Sequence, residues 1–205
     1  MCSITESELN MAAILCEQLE EMGAFNGACY EEIEEAFPNI DTNSGCTRKC
    51  FMMEELPGWV IKVCFSDMKF DYCKREVENY KAAVEAGLEF YFASTYKVYE
   101  CADGRWVTVQ EELDVNEEAI SDSLYNHMRS SMDPDDYENE DDFNSSIWDT
   151  IVDMSDEERV EILVGYDEEL MDFICDHHIN DLHEGNWGRA GNNDLVIMDF
   201  AGYGF

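Results

Sequence analysis

The chain has 205 residues, 45% of them hydrophobic, and its 48 Asp and Glu against 12 Lys and Arg give a formal net charge of −36. This length fits one compact domain, or one domain with an appended helical piece, and the apolar content is sufficient for a core. The acidic excess disfavours ordinary nucleic-acid binding, because a phosphate backbone is repelled, and it favours basic protein partners. An acidic chain can also imitate nucleic acid.

The cysteines and the N-terminus indicate a reducing compartment. Nine cysteines are scattered along the chain, and the first residues lack the basic and apolar regions of a signal peptide. No apolar run reaches the length of a membrane span, because acids interrupt each one. We therefore expect a cytoplasmic protein with no membrane partner. Buried or idle thiols are favoured over a metal site at Cys46 and Cys50, and the sequence leaves the oligomeric state open.

The first part of the chain predicts two helices. Thr5 and Glu8 form a capping box, and apolar residues then recur at helical spacing: Leu9, Ala12, Ala13, Cys16 and Leu19. A second, shorter helix is indicated by Tyr30, Ile33 and Phe37 and is ended by Pro38. We predict that residues 1–42 form a helical extension packed on the lobe that follows.

Residues 43–113 predict a small β-rich lobe. Asn43, Ser44 and Gly45 begin a turn, and Trp59–Phe65 is typical of a strand. A helix from about Phe70 to Ala86 is followed by two strands near Thr95–Cys101 and Trp106–Gln110, which Asp103-Gly104 joins as a hairpin. The predicted order is strand, strand, helix, strand, strand.

Residues 114–205 predict a helical, strongly acidic lobe. The run at 133–142 is favoured as a solvated helix face or acidic loop, with a docking surface for basic proteins as the alternative. An apolar stripe predicts one helix leading toward Asp181, through Ile162, Leu163, Tyr166, Leu170, Phe173 and Ile174. A polar turn at 192–194 then precedes a buried strand.

Two segments near the end carry chemistry. The first runs from Asp181 to Asn186 as Asp-Leu-His-Glu-Gly-Asn, and the second is Asp-Phe-Ala-Gly at 199–202, after the apolar run 195–198. An acid, an amide five residues later and a second acid after a buried strand can position a phosphoryl acceptor and hold Mg²⁺ against ATP. The histidines at 177, 178 and 183 do not have the spacing of a zinc site.

These segments resemble protein kinases. Val60-Ile61-Lys62-Val63 resembles the third-strand lysine motif, residues 181–186 the catalytic loop, and residues 199–202 the metal-binding Asp-Phe-Gly. The chain is similar over about residues 43–202 to the early, host-directed Ser/Thr protein kinases of short-tailed bacteriophages. The resemblance implies an α+β, two-lobed protein-kinase-like fold that is minimal and C-terminally truncated, because the chain stops soon after Gly202 and has no activation segment.

The resemblance also implies a nucleotide site for ATP. Lys62 would contact the α- and β-phosphates and be held by Glu76, which shares the inward face of its predicted helix. Gly45 is the one glycine of an abbreviated phosphate loop, and Glu111 lies in the hinge between the lobes.

The same resemblance gives the catalytic and metal residues. Asp181 would accept or orient the acceptor hydroxyl, with Lys62 on the phosphates, while Asn186 and Asp199 would bind Mg²⁺ through oxygen. Ile179 stands where such loops usually have a histidine, and His183 where many protein kinases have a lysine.

Three functions stay open at this point. The first is an active Ser/Thr protein kinase that modifies host proteins, basic ones in particular. The second is an inactive pseudokinase or acidic nucleic-acid mimic that binds and inhibits a host protein. The third is a small-molecule phosphotransferase, because the Asp-Leu-His-x-Gly-Asn form is also similar to aminoglycoside and choline phosphotransferases.

Overall fold

The protein has a two-lobed α+β fold. The structure is a computed structural model that describes residues 4–27, 30–191 and 194–202, and of Tyr30 it describes only the backbone. A five-stranded antiparallel sheet forms the first lobe and a helical layer forms the second. The predicted two-lobed α+β fold class is confirmed.

The helical extension consists of α1 (Glu6–Glu21) and α2 (Tyr30–Ala36). The predicted capping box is present, since Thr5 and Glu8 each satisfy the other's backbone amide. One face of α1 is buried against the sheet, and its buried residues are Ala12, Leu15, Cys16 and Leu19. The extension therefore packs on the small lobe, as predicted, and contributes to its core.

The sheet has the order β1-β2-β3-β5-β4, and one helix, α3 (Tyr72–Ala86), connects β3 to β4. The strands are β1 (Asp41–Ser44), β2 (Arg48–Met52), β3 (Trp59–Cys64), β4 (Thr95–Glu100) and β5 (Trp106–Glu111). The sequence predicted one strand fewer, because β1 is a short polar edge strand. Asn43 and Ser44, predicted to begin a turn, pair with β2 instead.

The two faces of the sheet differ in chemistry. Ile61, Val63 and Val109 pack into the core shared with α1. Lys62 and Gln110 alternate with them along the strands and so lie on the opposite face. The sheet thus turns its polar face toward the cleft between the lobes.

The helical lobe contains four helices and a short hairpin. These are α4 (Glu117–Ser131), α5 (Glu140–Val152), α6 (Asp156–Val164), α7 (Glu168–Asp176), β6 (Trp187–Arg189) and β7 (Leu195–Ile197). Of the predicted polar turn between the two strands, residues 192–193 lie outside the described residues. Among the described helices, none is long and apolar enough to cross a membrane.

The single helix predicted to lead toward Asp181 is two helices. Gly165 ends α6 with a φ of 90°, a backbone conformation that favours glycine. Asp167 then caps α7 by accepting from two of its first amides. The apolar stripe continues across this break, which is why its spacing alone indicated one element.

Candidate active site

The loop that begins at Asp181 is held by the start of α6. The two carboxylate oxygens of Asp156 accept hydrogen bonds from the amides of Asp181 and Leu182, at 2.9 and 2.7 Å. Asp181 has a φ of 67°, a conformation that is uncommon outside glycine and that persists where surrounding contacts enforce it. The amide nitrogen of Asn186 donates to the Asp181 carbonyl at 2.6 Å, so both predicted residues belong to one turn.

A buried arginine on α6 also holds the loop that begins at Asp181 in place. Arg159, one turn into α6, donates to Glu184 at 2.8 Å and to the carbonyl of Ile151 at 2.6 Å. Asp156 and Arg159 were not predicted as site residues. The signals that could have found them are the Ser155 cap that starts this helix and an isolated cation inside an acidic segment.

The segment from Asp199 to Gly202 is anchored to both lobes. Asn79 on α3 donates to the Phe200 carbonyl at 2.7 Å, and the Phe200 ring is fully buried with its centroid 5.2 Å from that of Phe92. Gly202 has a φ of 70°, and a Cβ atom there would lie 2.2 Å from the His178 carbonyl oxygen. Only glycine fits this position.

Arg48 on β2 is the central cation of the cleft, and sequence reasoning missed it. Its guanidinium lies 2.7 Å from Glu76 and also forms an ion pair with Asp199. Burial opposes charge on Asp199, but Arg48 and Lys62 outweigh burial and hold the pKa of Asp199 below its ordinary value. Asp199 is therefore an anion engaged with Arg48.

Glu76 is the inward-facing acid of α3, as predicted, but its observed partner is Arg48 and not Lys62. The Lys62 ammonium donates to Gln110 at 2.5 Å and to the Met198 carbonyl at 3.5 Å. Lys62 is the register partner of Cys50, two residues after Arg48, so the two cations share a sheet face. Both carboxylate oxygens of Glu76 are buried without a hydrogen bond in the described part of the chain, and one of them has Arg48 as its ion-pair partner.

Three of the four predicted catalytic and metal residues, all but Lys62, come together in one cleft. Its lining residues are Thr47, Arg48, Tyr72, Asn180, Asp181, Asn186, Asp199 and Gly202. Because the Asn186 nitrogen is used by the Asp181 carbonyl, its oxygen is the atom that can bind a cation beside the Asp199 carboxylate. These oxygen donors suit Mg²⁺. The free volume is about 10 Å³, roughly that of one water molecule, so the side chains that line the cleft nearly fill it.

The other two predicted nucleotide contacts lie at the edges of this region. The Gly45 amide donates to the Arg48 carbonyl at 3.0 Å, which closes the hairpin between β1 and β2. The Glu111 amide, at the end of β5, donates to the Ser94 carbonyl at 2.9 Å. Both amides are used within the protein, and the role of these residues toward a nucleotide stays a prediction.

Neither the known protein-family models nor the curated proteins give a match to this sequence. Among solved structures, the chain is similar to the GDP and kanamycin complex of APH(2")-IIia, with 16% identity, 82% of this chain and 70% of that chain covered, and a TM-score of 0.35. It is also similar to the aminoglycoside phosphotransferase from Alicyclobacillus acidocaldarius, with 12% identity, coverages of 78% and 61%, and a TM-score of 0.35. At these identities and scores the likeness identifies no substrate.

Proposed function

We propose that the protein is a magnesium- and nucleotide-dependent phosphotransferase. The observation that carries the proposal is the convergence of Asp181, Asn186 and Asp199 in one cleft whose other wall bears Arg48. In phosphoryl transfer the protein supplies positioning and charge more than covalent chemistry. A carboxylate for the acceptor, oxygen ligands for Mg²⁺ and cations for the phosphates are the parts that this reaction requires.

The chain's own residues have distinct tasks in this proposal. Asp181 accepts a hydrogen bond from the acceptor hydroxyl and takes up its proton, while its backbone is held by Asp156. Asn186 and Asp199 would hold Mg²⁺, which when bound would supply positive charge against the transferring phosphate. Arg48 is paired with both Glu76 and Asp199, so it would keep Glu76 as a counter-charge if Asp199 held the metal.

The proposed acceptor is a hydroxyl group of a small cationic molecule. The helical lobe around the loop from Asp181 contains 26 Asp and Glu against three Arg and no Lys, and such a surface concentrates cations near the cleft. The sequence Asp-Leu-His-Glu-Gly-Asn at 181–186 also fits this class. Aminoglycosides, named for the similar structures, and choline are therefore the first acceptors to test.

The test is transfer of label from γ-labelled ATP or GTP, with Mg²⁺, to a panel of aminoglycosides and choline. We expect nucleotide turnover that rises with one of these acceptors and a labelled small molecule. Asp181→Asn should lower the rate by about 10²- to 10⁴-fold, because the group that takes the proton is lost. Asp172→Asn, an exposed acid on α7, is the matched control and should keep the rate.

Two results would count against this proposal. If neither nucleotide is turned over with any acceptor, and Mg²⁺ with nucleotide leaves the melting temperature unchanged, the cleft is not a phosphotransfer site. If label appears on proteins of a lysate and not on small molecules, the acceptor class is wrong. The chain is then a Ser/Thr protein kinase, for which the acidic lobe would attract basic host proteins.

A non-catalytic role is the second candidate, and the ion pair between Arg48 and Asp199 favours it. In this pair Asp199, a proposed metal ligand, is already bound to Arg48, and the cleft has almost no free volume. If the pair persists in solution, the protein acts by binding, as a pseudokinase or acidic mimic of nucleic acid. Salt-sensitive binding to a basic host protein that is indifferent to Mg²⁺ and ATP would support this role.

A further inference from the structure

Three side chains meet where β3 ends and α3 begins, apart from the residues proposed for phosphoryl transfer. Cys64 is the last residue of β3, Asp71 is the N-cap of α3, and Cys73 is the second residue of that helix. Both cysteines are buried, at 1% and 0% exposure, and Asp71 is partly exposed. The cluster therefore has a polar side open toward solvent and two sulfur atoms inside.

Two of the three distances between the ligand atoms of the cluster match those of a tetrahedral metal site. The two sulfur atoms are 3.8 Å apart, and Cys64 Sγ is 3.6 Å from Asp71 Oδ1. Sulfurs bound to Zn²⁺ at about 2.3 Å and at the tetrahedral angle lie about 3.8 Å apart, and a sulfur and a carboxylate oxygen lie about 3.5–3.7 Å apart. All three ligand atoms lie within 4.8 Å of one another.

The surroundings of the cluster suit a bound cation. The Cys73 amide donates to Cys64 Sγ at 3.4 Å, the type of contact that orients a metal-bound thiolate. Asp71 Oδ1 accepts from the Lys74 amide at 3.0 Å and Oδ2 from the Trp106 amide at 2.8 Å. Each carboxylate oxygen has a second lone pair, so the cap and a metal bond can exist together.

We propose that Cys64, Asp71 and Cys73 bind one Zn²⁺ ion. Thiolates select a soft or borderline metal over Mg²⁺, and three protein ligands leave a fourth position for water. Binding converts both thiols to thiolates and releases two protons to solvent. The ion would link the strand that carries Lys62 to the helix that carries Glu76 and so hold the sheet and α3 in register.

The proposal is tested on untagged, full-length protein kept reduced with a phosphine, stripped with a chelator and reloaded with Zn²⁺ or Co²⁺. We expect one tightly held ion per chain, a near-ultraviolet thiolate-to-cobalt band, and a higher melting temperature with Zn²⁺. Cys64→Ser and Cys73→Ser should abolish the band and the thermal shift. Cys16→Ser and Cys101→Ser, which change buried cysteines elsewhere in the fold, should retain both.

Asp71→Asn is the variant that separates metal binding from folding. Asn keeps an oxygen that caps the helix but loses the acceptor for the Trp106 amide, so folding of the metal-free variant is checked by circular dichroism; the variant should bind Zn²⁺ at least about tenfold more weakly. The proposal is wrong if the reduced wild type gives no cobalt band, or if the band survives in both cysteine variants. It is also wrong if the reduced protein binds no ion and mild peroxide joins Cys64 to Cys73 as a disulfide. None of these measurements depends on phosphoryl transfer.

Discussion

The two lobes use charge in opposite ways. Residues 43–113 contain nine of the twelve Lys and Arg with 12 of the 48 acids, whereas residues 114–205 contain three cations with 26 acids. In the small lobe the decisive charges are inside, since Arg48, Lys62 and Glu76 are all buried. In the helical lobe almost all of the acids lie on the surface.

This difference separates charges that fix geometry from charges that create a field. A buried ion pair is costly to break, because removing one partner leaves the other uncompensated in a medium of low dielectric constant. An exposed charge is screened by water and contributes little to stability. Among the described charged residues of the helical lobe, Arg159 is the exception to surface exposure: it is 8% exposed, and it contacts the loop from Asp181 through Glu184.

The largest effect is expected for Arg48→Met. Loss of the guanidinium leaves Glu76 buried without a counter-charge, and we expect the free energy of unfolding to fall by about 3–5 kcal/mol. Urea unfolding measures this change. Lys74→Met removes an exposed cation whose partner is 3.9 Å away and should cost less than about 1 kcal/mol.

A double variant sharpens the same prediction. Arg48→Met with Glu76→Met replaces the pair by apolar groups and should recover most of the lost stability. If the single Arg48 variant is as stable as the wild type, the small-lobe charges do not fix geometry and the contrast between the lobes fails.

Arg159→Met tests whether the buried arginine of the helical lobe stabilises the fold as the buried charges Arg48 and Glu76 of the small lobe do. The variant keeps the side-chain volume but loses the hydrogen bonds to Glu184 and Ile151, and we expect a loss of about 2–3 kcal/mol. Arg129→Met is the control, because Arg129 is 45% exposed and its removal should cost less than about 1 kcal/mol. Equal losses in chemical denaturation would show that burial of Arg159 is not the deciding factor.

Gly202→Ala extends the comparison from charge to backbone. The left-handed conformation alone costs an alanine about 1–2 kcal/mol, and the contact with the His178 carbonyl would displace the segment that carries Asp199. Thermal unfolding should show the loss. In Gly191→Ala, where no atom lies near the added Cβ, the melting temperature should stay close to that of the wild type.

The smallest effect is expected on the acidic surface, and its sign depends on position. Asp141 lies in the first turn of α5 and Asp149 in its last turn, both exposed. Because acids are favourable at a helix N-terminus and unfavourable at its C-terminus, Asp141→Asn should destabilise and Asp149→Asn should stabilise by about 0.3–1 kcal/mol. Changes of the same sign in low-salt denaturation would contradict this.

The sequence by itself determined most of the elements and the order of the motifs, but not the short polar strand β1 or the break between α6 and α7. The features that allowed these predictions are local. They are the helix cap at Thr5, the alternation of apolar and polar residues along β3, and the spacing of acid, amide and acid from Asp181 to Asp199. A strand or a loop can be predicted from such features because its formation depends mainly on residues that are neighbours in the sequence. They also predicted that Glu76 faces inward, since that depends only on helical periodicity.

Only the tertiary structure decided which charges meet. Arg48 reaches Glu76 and Asp199 because β2, α3 and the loop after β7 converge, and no local spacing in the sequence encodes that contact. The same holds for Asp156 and Arg159, which contact the loop from Asp181 about 25 residues away. Ion pairs and ligand clusters depend on distances between segments that are remote in sequence, and packing fixes those distances.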